Sequence, residues 1–373
     1  MNYKSISKLF MLGFILAFMF SSCTKEGPMG LPGADGTDGA DGADGMDGNQ
    51  TCLVCHTQSN MDAITTTFSE HAHSAGTSFS YAGTRAGCAQ CHSDEGYVTY
   101  ITTGAEIAPA VGAPLECSTC HNNHSSLEEG ISAPLYSMEF VESAAIDGKT
   151  YNYEASNLCA TCHQARSTPD SYYRTEATTF TRTFTGADIE SYQLHGAVGP
   201  NGSKTLNATE DTLTVVFDVP LTHVYTSSTH AGPHHGPQAN MIAADMGSQI
   251  GTPFEQAHHT CINCHMHGED GASGHSYVAE INMCNNCHGD AVDIEGIQSD
   301  IAARMAAVEA ALEEIGAIHV AEDGVHPMYA SLPKDQWDAF WNFMCLWEDK
   351  SHGAHNPGYA RQLLNQAEAA LGL

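Results

Sequence analysis

Residues 159–163 read Cys-Ala-Thr-Cys-His, and this Cys-x-x-Cys-His pattern occurs six times in the 373-residue chain. The first cysteines are Cys52, Cys88, Cys117, Cys159, Cys261 and Cys284, and the second are Cys55, Cys91, Cys120, Cys162, Cys264 and Cys287. The histidines that follow at once are His56, His92, His121, His163, His265 and His288. Two thiols at this spacing can each form a thioether to one porphyrin, and the next histidine is placed as the proximal iron ligand. Zinc knuckles share the cysteine spacing but do not require the histidine. The pattern therefore predicts six covalently attached haem c groups.

Two cysteines lie outside these motifs. Of the 14 cysteines, the motifs use twelve, which leaves Cys23 and Cys345. Cys345 lies between two tryptophans in WNFMCLW, a setting typical of a buried packing thiol rather than a reactive one. Because Cys23 belongs to the targeting segment described below, no internal disulfide is expected.

The chain is strongly acidic, with 44 aspartates and glutamates against 13 lysines and arginines. This balance argues against nucleic acid and anionic membrane surfaces as partners. Basic redox partner proteins, cations and oxidised metal ions would be attracted. Acidity that serves only solubility is the simpler alternative.

The first 22 residues have the pattern of a lipoprotein signal peptide. Lys4 and Lys8 precede an apolar run from Leu9 to Phe20 that is too short to span a membrane. Phe20-Ser21-Ser22-Cys23 resembles a bacterial lipobox, which predicts lipidation of Cys23. A plain secretion signal is the alternative. The sequence predicts an outer-membrane lipoprotein at the cell surface, with a periplasmic or secreted protein as the other possibilities.

Glycine recurs at every third residue from Gly27 to Gly48, as in collagen. The repeat is short and rich in aspartate, so a solvated tether is favoured over a trimerising stalk. Residues 23–50 are therefore interpreted as a lipid anchor and tether. Many surface lipoproteins of diderm bacteria have a similar glycine-rich stretch after the lipidated cysteine.

The haem motifs are distributed unevenly after Gln50. Four motifs lie in residues 51–170 and two in residues 230–290. The spacing leaves little chain for independent cores, so short helices bearing the motifs are expected to pack on the porphyrins. Between the two groups, residues 171–229 contain threonine-rich stretches that alternate polar and apolar residues as strands do.

The C-terminal region, residues 291–373, has a helical pattern. Apolar residues recur at three- and four-residue steps from Ile297 to Ile315, and further helices are expected over Lys334–Trp347 and Pro357–Leu371. The predicted fold is mainly α with long loops organised around covalently bound haems. It also has a small β-hairpin or sheet insertion and C-terminal helices.

Sixteen histidines remain beyond the six proximal ones, a surplus that favours a second histidine on each iron. His124 lies too close to His121 to reach the opposite face of the same porphyrin, so as a ligand it would serve a neighbouring haem. The same argument applies to His258 or His259, just before Cys261. His71 or His73 is a further candidate for an early haem.

Three stretches resemble multihaem cytochromes of the cytochrome c nitrite reductase and cytochrome c-554 lineage. They are HHGPQ at 234–238, CINCHM continuing to His275, and KSHGAHNPGYARQLL at 350–364, and the resemblance covers mainly residues 230–290 and 340–370. It implies that His355 and His275 are distal ligands, with His235 as a third. His352 departs from the usual residue and is interpreted as non-ligating.

Electron transfer along a chain of bis-histidine haems is the favoured function, to or from partner cytochromes or extracellular acceptors. An oxidoreductase acting on a small nitrogen or sulfur compound would require a haem with an open site. The related nitrite reductases usually attach that haem through Cys-x-x-Cys-Lys, which this sequence lacks. A third alternative is an oligomer, in which the chain is a subunit of a haem-containing extracellular filament.

Overall fold

The computed structural model describes residues 56–373 except 123–134, 137, 187–201, 208, 252–259, 267–272, 281–282, 285–287 and 290–291. The predicted signal peptide, Cys23 and the glycine repeat lie outside these residues. Within the described ranges, no helix combines the length and the apolar character needed to cross a membrane.

The region of the first four motifs consists of short helices and turns. They are α1 (Gln58–Ser69), α2 (Ala72–Ala75), α3 (Phe79–Ala82), α4 (Ala89–His92), α5 (Asp94–Thr103), α6 (Cys117–Cys120) and, after the short strands β1 (Val141–Glu142) and β2 (Thr150–Tyr151), α7 (Asn157–Cys162). Helix α1 buries none of its residues. In residues 56–122 the buried apolar side chains are Ala82, Ala89, Tyr97 and Pro109. This region therefore has little protein core of its own, as the close motif spacing predicts.

The threonine-rich interval forms a three-stranded antiparallel sheet. Its strands are β3 (Thr178–Thr185), β4 (Gly202–Asn207) and β5 (Thr212–Val219), in the order β3-β5-β4. Alternate residues of β5 are buried, and Phe217 at its centre lies opposite Phe180 of β3. The sheet predicted from the alternating pattern is thus present.

Strand β6 (His223–Thr226) joins this part of the chain to the C-terminal region. It pairs antiparallel with β9 (Ala330–Pro333), which lies more than a hundred residues later. Through β6, the segment 171–229 is hydrogen-bonded to the C-terminal region. Between the two strands lie helices α8 (Gln238–Ala243) and α9 (Cys261–His265).

Three long helices dominate the C-terminal region, as their apolar spacing predicts. They are α10 (Ile294–Glu314), α11 (Lys334–Asp349) and α12 (Pro357–Leu371). A hairpin of β7 (Ile318–Ala321) and β8 (Gly324–Pro327), which the sequence pattern did not indicate, follows α10. Helix α11 contributes the largest buried side chains, including Trp337, Trp341 and the predicted packing thiol Cys345. Burial raises the pKa of that thiol well above its usual value.

The loop after α8 is fixed to this helical core by hydrogen bonds. The indole Nε1 of Trp341 donates to Met246 O over 2.7 Å, and the Tyr359 hydroxyl accepts from the backbone N–H groups of Met246 and Gly247. Asn342 accepts from the backbone N–H of Ser248 over 2.7 Å. The C-terminal core therefore positions the loop after α8, and in α8 the backbone N–H of Ala239 donates to the carbonyl of His163 in the fourth motif over 2.9 Å.

Candidate metal centres

Each described motif is closed into a single helical turn. The backbone N–H of the motif histidine donates to the carbonyl of the first cysteine at 3.1 Å in His92–Cys88, 2.9 Å in His121–Cys117 and 2.9 Å in His163–Cys159. Residues three and four positions apart lie on one face of a helix. Both thiols and the imidazole of a motif therefore face the same side, where a single planar group could contact all three.

Four motif histidines each face a histidine from elsewhere in the chain. The distances between ring centres are 6.2 Å for His92–His234, 6.3 Å for His121–His275, 6.0 Å for His163–His73 and 6.3 Å for His265–His355. The interplanar angles range from 21° to 85°. The separation is thus nearly constant, whereas the relative rotation of the rings is not.

This separation is the one expected for two imidazoles on opposite sides of one metal ion. A metal–imidazole bond is about 2.0–2.1 Å long, and a nitrogen lies roughly 1.1 Å from the centre of a ring with bonds of about 1.35 Å. The ring centres of such a pair are then about 6.2–6.4 Å apart, and the rings are free to rotate about the shared axis. Aromatic pairs also occur at centre distances of about 4.5–7 Å. The four motif histidines meet their partners at 6.0–6.3 Å, a narrower spread than aromatic packing alone requires.

Hydrogen bonds orient the motif imidazoles. Nδ1 of His163 lies 2.9 Å from Gln238 Oε1, and Nδ1 of His265 lies 2.8 Å from the carbonyl oxygen of Tyr277. The Gln238 amide is oriented by its Nε2, which donates to Asp349 O over 3.1 Å. Because both partners of the imidazoles are acceptors, Nδ1 carries the proton and Nε2 is left for a metal.

His92 has a weaker hydrogen bond of the same kind, with 3.3 Å between Nδ1 and the Ser78 hydroxyl. Its partner in the ring pair, His234, has a left-handed backbone conformation with φ of 82°. Burial, followed by the charges of His235 and His92, lowers the pKa of His234 to about 4. A neutral imidazole at pH 7 is the form that binds a metal.

His355 has the strongest orienting contact. Its Nδ1 lies 2.6 Å from Asp349 Oδ1, and the Ser351 hydroxyl donates to the other oxygen of this buried carboxylate. Burial acts to lower the pKa of His355, but the charge and hydrogen bond of Asp349 outweigh it and raise the pKa. A carboxylate on the outer nitrogen of a metal-binding histidine fixes its tautomer and increases its basicity.

His73 is the partner of His163 and lies in a cluster of rings. Its ring centre is 4.7 Å from that of Tyr277 and 4.9 Å from that of His71. Burial, then the charges of His163 and His71, lowers the pKa of His73 to about 4. Tyr277 has a left-handed backbone conformation with φ of 53°. This strained conformation is supported by the packing of its ring against His71 and His73 and by the hydrogen bond of its carbonyl oxygen with His265.

Helices of different motifs lie side by side. Sγ of Cys91 lies 3.9 Å from the carbonyl oxygen of Thr161, and Sγ of Cys162 lies 3.9 Å from the carbonyl oxygen of Gln90, so each thiol lies against the helix of the other motif. The backbone N–H of Ile262 in the fifth motif donates to the Ser156 hydroxyl over 3.1 Å, just before the helix that carries Cys159. The second and fourth motifs are therefore neighbours, and so are the fourth and fifth. In the described part of the chain, no three histidine, cysteine, aspartate or glutamate side chains form a group that could hold a bare metal ion.

The distal ligand candidates from the sequence occupy three kinds of position. His275 and His355 face motif histidines as given above. His71 and His235 do not, because the adjacent His73 and His234 take those places. Nδ1 of His235 lies 2.8 Å from Glu348 Oε2 instead, and the pKa of His235 is raised, mainly by this hydrogen bond. His124, His258, Cys52, Cys55 and Cys287 fall outside the described residues, and His56 and His288 are exposed.

Comparison with known proteins gives remote structural likeness. No protein-family profile matches the chain, and no curated protein sequence matches it. The outer cell wall cytochrome OcwA matches with a TM-score of 0.40 and 19% identity, over 76% of this chain and 45% of that one. An undecahaem cytochrome from the S-layer of Carboxydothermus ferrireducens matches with a TM-score of 0.41 and 16% identity, over 83% of this chain and 40% of that one. The chain thus spans less than half the length of either protein.

Proposed function

We propose that this chain is a hexahaem c-type cytochrome that transfers electrons along a series of bis-histidine haems. The observation that carries the proposal is the set of four motif histidines, each facing a second histidine at the distance of a shared metal ion. The sparse protein core around α1 to α6 suits a region that packs on porphyrins. The side chains present therefore fit haem c.

The ring pairs support a proposal for the ligands of four haems. His92 and His234 hold the second haem, His121 and His275 the third, His163 and His73 the fourth, and His265 and His355 the fifth. Each haem is attached through the two cysteines of its motif. His56 and His288 are the proximal ligands of the first and sixth haems, and His124 and His258 stay candidates for distal ligands.

Electron transfer is favoured because an iron with two imidazoles has no open position for a substrate. Haem iron supplies reversible one-electron oxidation and reduction, and two histidine ligands favour a lower potential than a methionine ligand gives. The contacts between motifs two and four, and between four and five, would bring the attached porphyrins close together. The fourth haem would then relay electrons between its neighbours.

The net charge of −31 suits docking of basic redox proteins or extracellular oxidised cations. We further propose that Cys23 is lipidated and that residues 23–50 tether the haem region to the outer membrane. A Cys23→Ser variant, expressed in a host that makes lipoproteins, should move from the membrane fraction to the soluble fraction. Retention of the variant on the membrane would contradict the anchor without affecting the haem assignment.

Optical and electron paramagnetic resonance spectra of the purified protein test the proposed function. Six low-spin ferric haems are expected, with no change on addition of nitrite or cyanide. Ferric haem in the high-spin form that binds either anion would instead indicate an open site and favour an oxidoreductase.

A further inference from the structure

Arg166 lies between the second and fourth motifs. Its Nη2 is 2.6 Å from Cys91 Sγ, and Arg166 follows the fourth motif histidine, His163, by three residues. Arginine and lysine are scarce in this chain, at 13 of 373 residues. A guanidinium cannot lose its charge in a protein, so the site next to this thiol is permanently cationic.

The backbone around Arg166 is fixed to the loop that carries His234. The N–H of Arg166 donates to Pro233 O over 2.8 Å, and the Ser167 hydroxyl donates to Gly232 O over 2.6 Å. On the other side, the N–H of Ala165 donates to the Asn240 side chain over 2.7 Å. These bonds fix the Arg166 backbone next to Pro233, the residue before His234, while its guanidinium lies against Cys91, the cysteine before His92.

Other charges face the same site. Glu106 accepts a hydrogen bond from Gln90 over 3.3 Å. Its negative charge raises the pKa of the Cys91 thiol, whereas the positive charge of Arg166 lowers it. The charge of Arg85 also lowers the pKa of His92, but Arg85 is at the surface, where its Nε donates a hydrogen bond to the carbonyl oxygen of the exposed Tyr81. Burial lowers the pKa of His92 most, and the charges of His235, Arg166 and Arg85 lower it further. The half-buried Arg166 is therefore the permanent positive charge next to the Cys91 thiol. Glu106 is an exposed negative charge near the same thiol.

We propose that Arg166 raises the reduction potential of the haem held by His92 and His234 and so sets the position of that haem in the electron path. A positive charge destabilises the oxidised iron, which carries one more positive charge than the reduced iron. The inference rests on the proposed function, because it requires a haem at the second motif. Arg166 contacts the Cys91 sulfur, which would carry the haem, so its charge would act on the iron through space.

The test is a spectroscopic redox titration of the full haem-loaded protein, fitted with six one-electron components. Arg166→Gln should make one haem about tenfold harder to reduce, and tenfold corresponds to about 59 mV for one electron. Arg166→Lys, which keeps the charge, should leave that component within about twofold of the wild type. Glu106→Gln should move the same component in the opposite direction by a smaller factor, because Glu106 is exposed.

A matched control is Arg304→Gln on α10, whose guanidinium pairs with Glu368 at 2.7 Å. It should leave all six components unchanged. An unshifted titration in Arg166→Gln with six haems attached would overturn the inference alone. If Arg166→Gln does not fold, an Arg166→Lys titration in which one component shifts about tenfold would overturn it. If the wild-type protein contained no haem, the proposed function itself would be contradicted.

Discussion

The buried carboxylate of Asp349 should lower the reduction potential of the fifth haem. Its Oδ1 lies 2.6 Å from Nδ1 of His355, and its side chain is 0% exposed. Asp349→Asn removes the negative charge, keeps the size of the side chain and leaves an oxygen that can accept from Nδ1. The substitution therefore isolates the charge.

The size of the effect follows from the distance. An iron bound at Nε2 of His355 lies roughly 6 Å from that oxygen. With an effective dielectric constant of about 20, the interaction is on the order of 2–3 kcal/mol. The carboxylate stabilises the oxidised iron by this amount, and its loss should raise one reduction potential by about 100 mV, since tenfold is about 59 mV for one electron. Burial keeps solvent from screening the interaction.

The assay is a redox titration monitored in the visible haem bands. Asp338→Asn is the matched control, because Asp338 is an equally buried carboxylate on the same helix. It lies eleven residues earlier in α11, about 16 Å along the axis, and is bonded to Tyr173, Ser248 and Lys334. The control should lower stability without moving a potential. No upward shift in Asp349→Asn, or an equal shift in the control, would refute the reasoning.

Three further outcomes are expected. His234→Ala should convert one low-spin haem to high-spin, whereas His235→Ala should leave the count of low-spin haems unchanged; the reverse result by electron paramagnetic resonance would exchange the two assignments. Tyr359→Phe should lower the free energy of unfolding by roughly 2–4 kcal/mol in urea, because the buried N–H of Met246 and the half-buried N–H of Gly247 lose their acceptor; a change below the error of the titration would be inconsistent with this. Cys345 should be inert to thiol reagents in the folded protein and react after denaturation, because burial raises its pKa and blocks access; rapid labelling of the native protein would contradict the packing role.

Much of the architecture was accessible from sequence pattern. Periodic apolar spacing located α10, and alternation located β3 and β5, while α11 and α12 were also expected from the sequence. In α10 and β5 the pattern reflects one buried face. The β7–β8 hairpin was not predicted from the sequence, because its strands are only four residues long and too short to show a clear alternation of polar and apolar residues. The pairing of β6 with β9 joins residues far apart in sequence, which no local pattern records.

The distal ligands show where sequence reasoning stops. Composition indicated a surplus of histidines, but His71 and His73 are two residues apart, and His234 and His235 are adjacent. The choice within each pair depends on local backbone geometry. His71 caps α2 through its own ring, while His73 lies on the helix and faces His163. His234 reaches His92 with a left-handed backbone that sequence does not signal for a non-glycine residue.

Intact-protein mass spectrometry of the chain, produced in a host that matures c-type haem, tests the central claim most directly. The mass should exceed that of the processed polypeptide by six haem groups that survive denaturation. Replacing both cysteines of one motif by serine should remove a single haem. A colourless protein with the mass of the bare polypeptide would contradict the assignment of the six motifs and everything inferred from it.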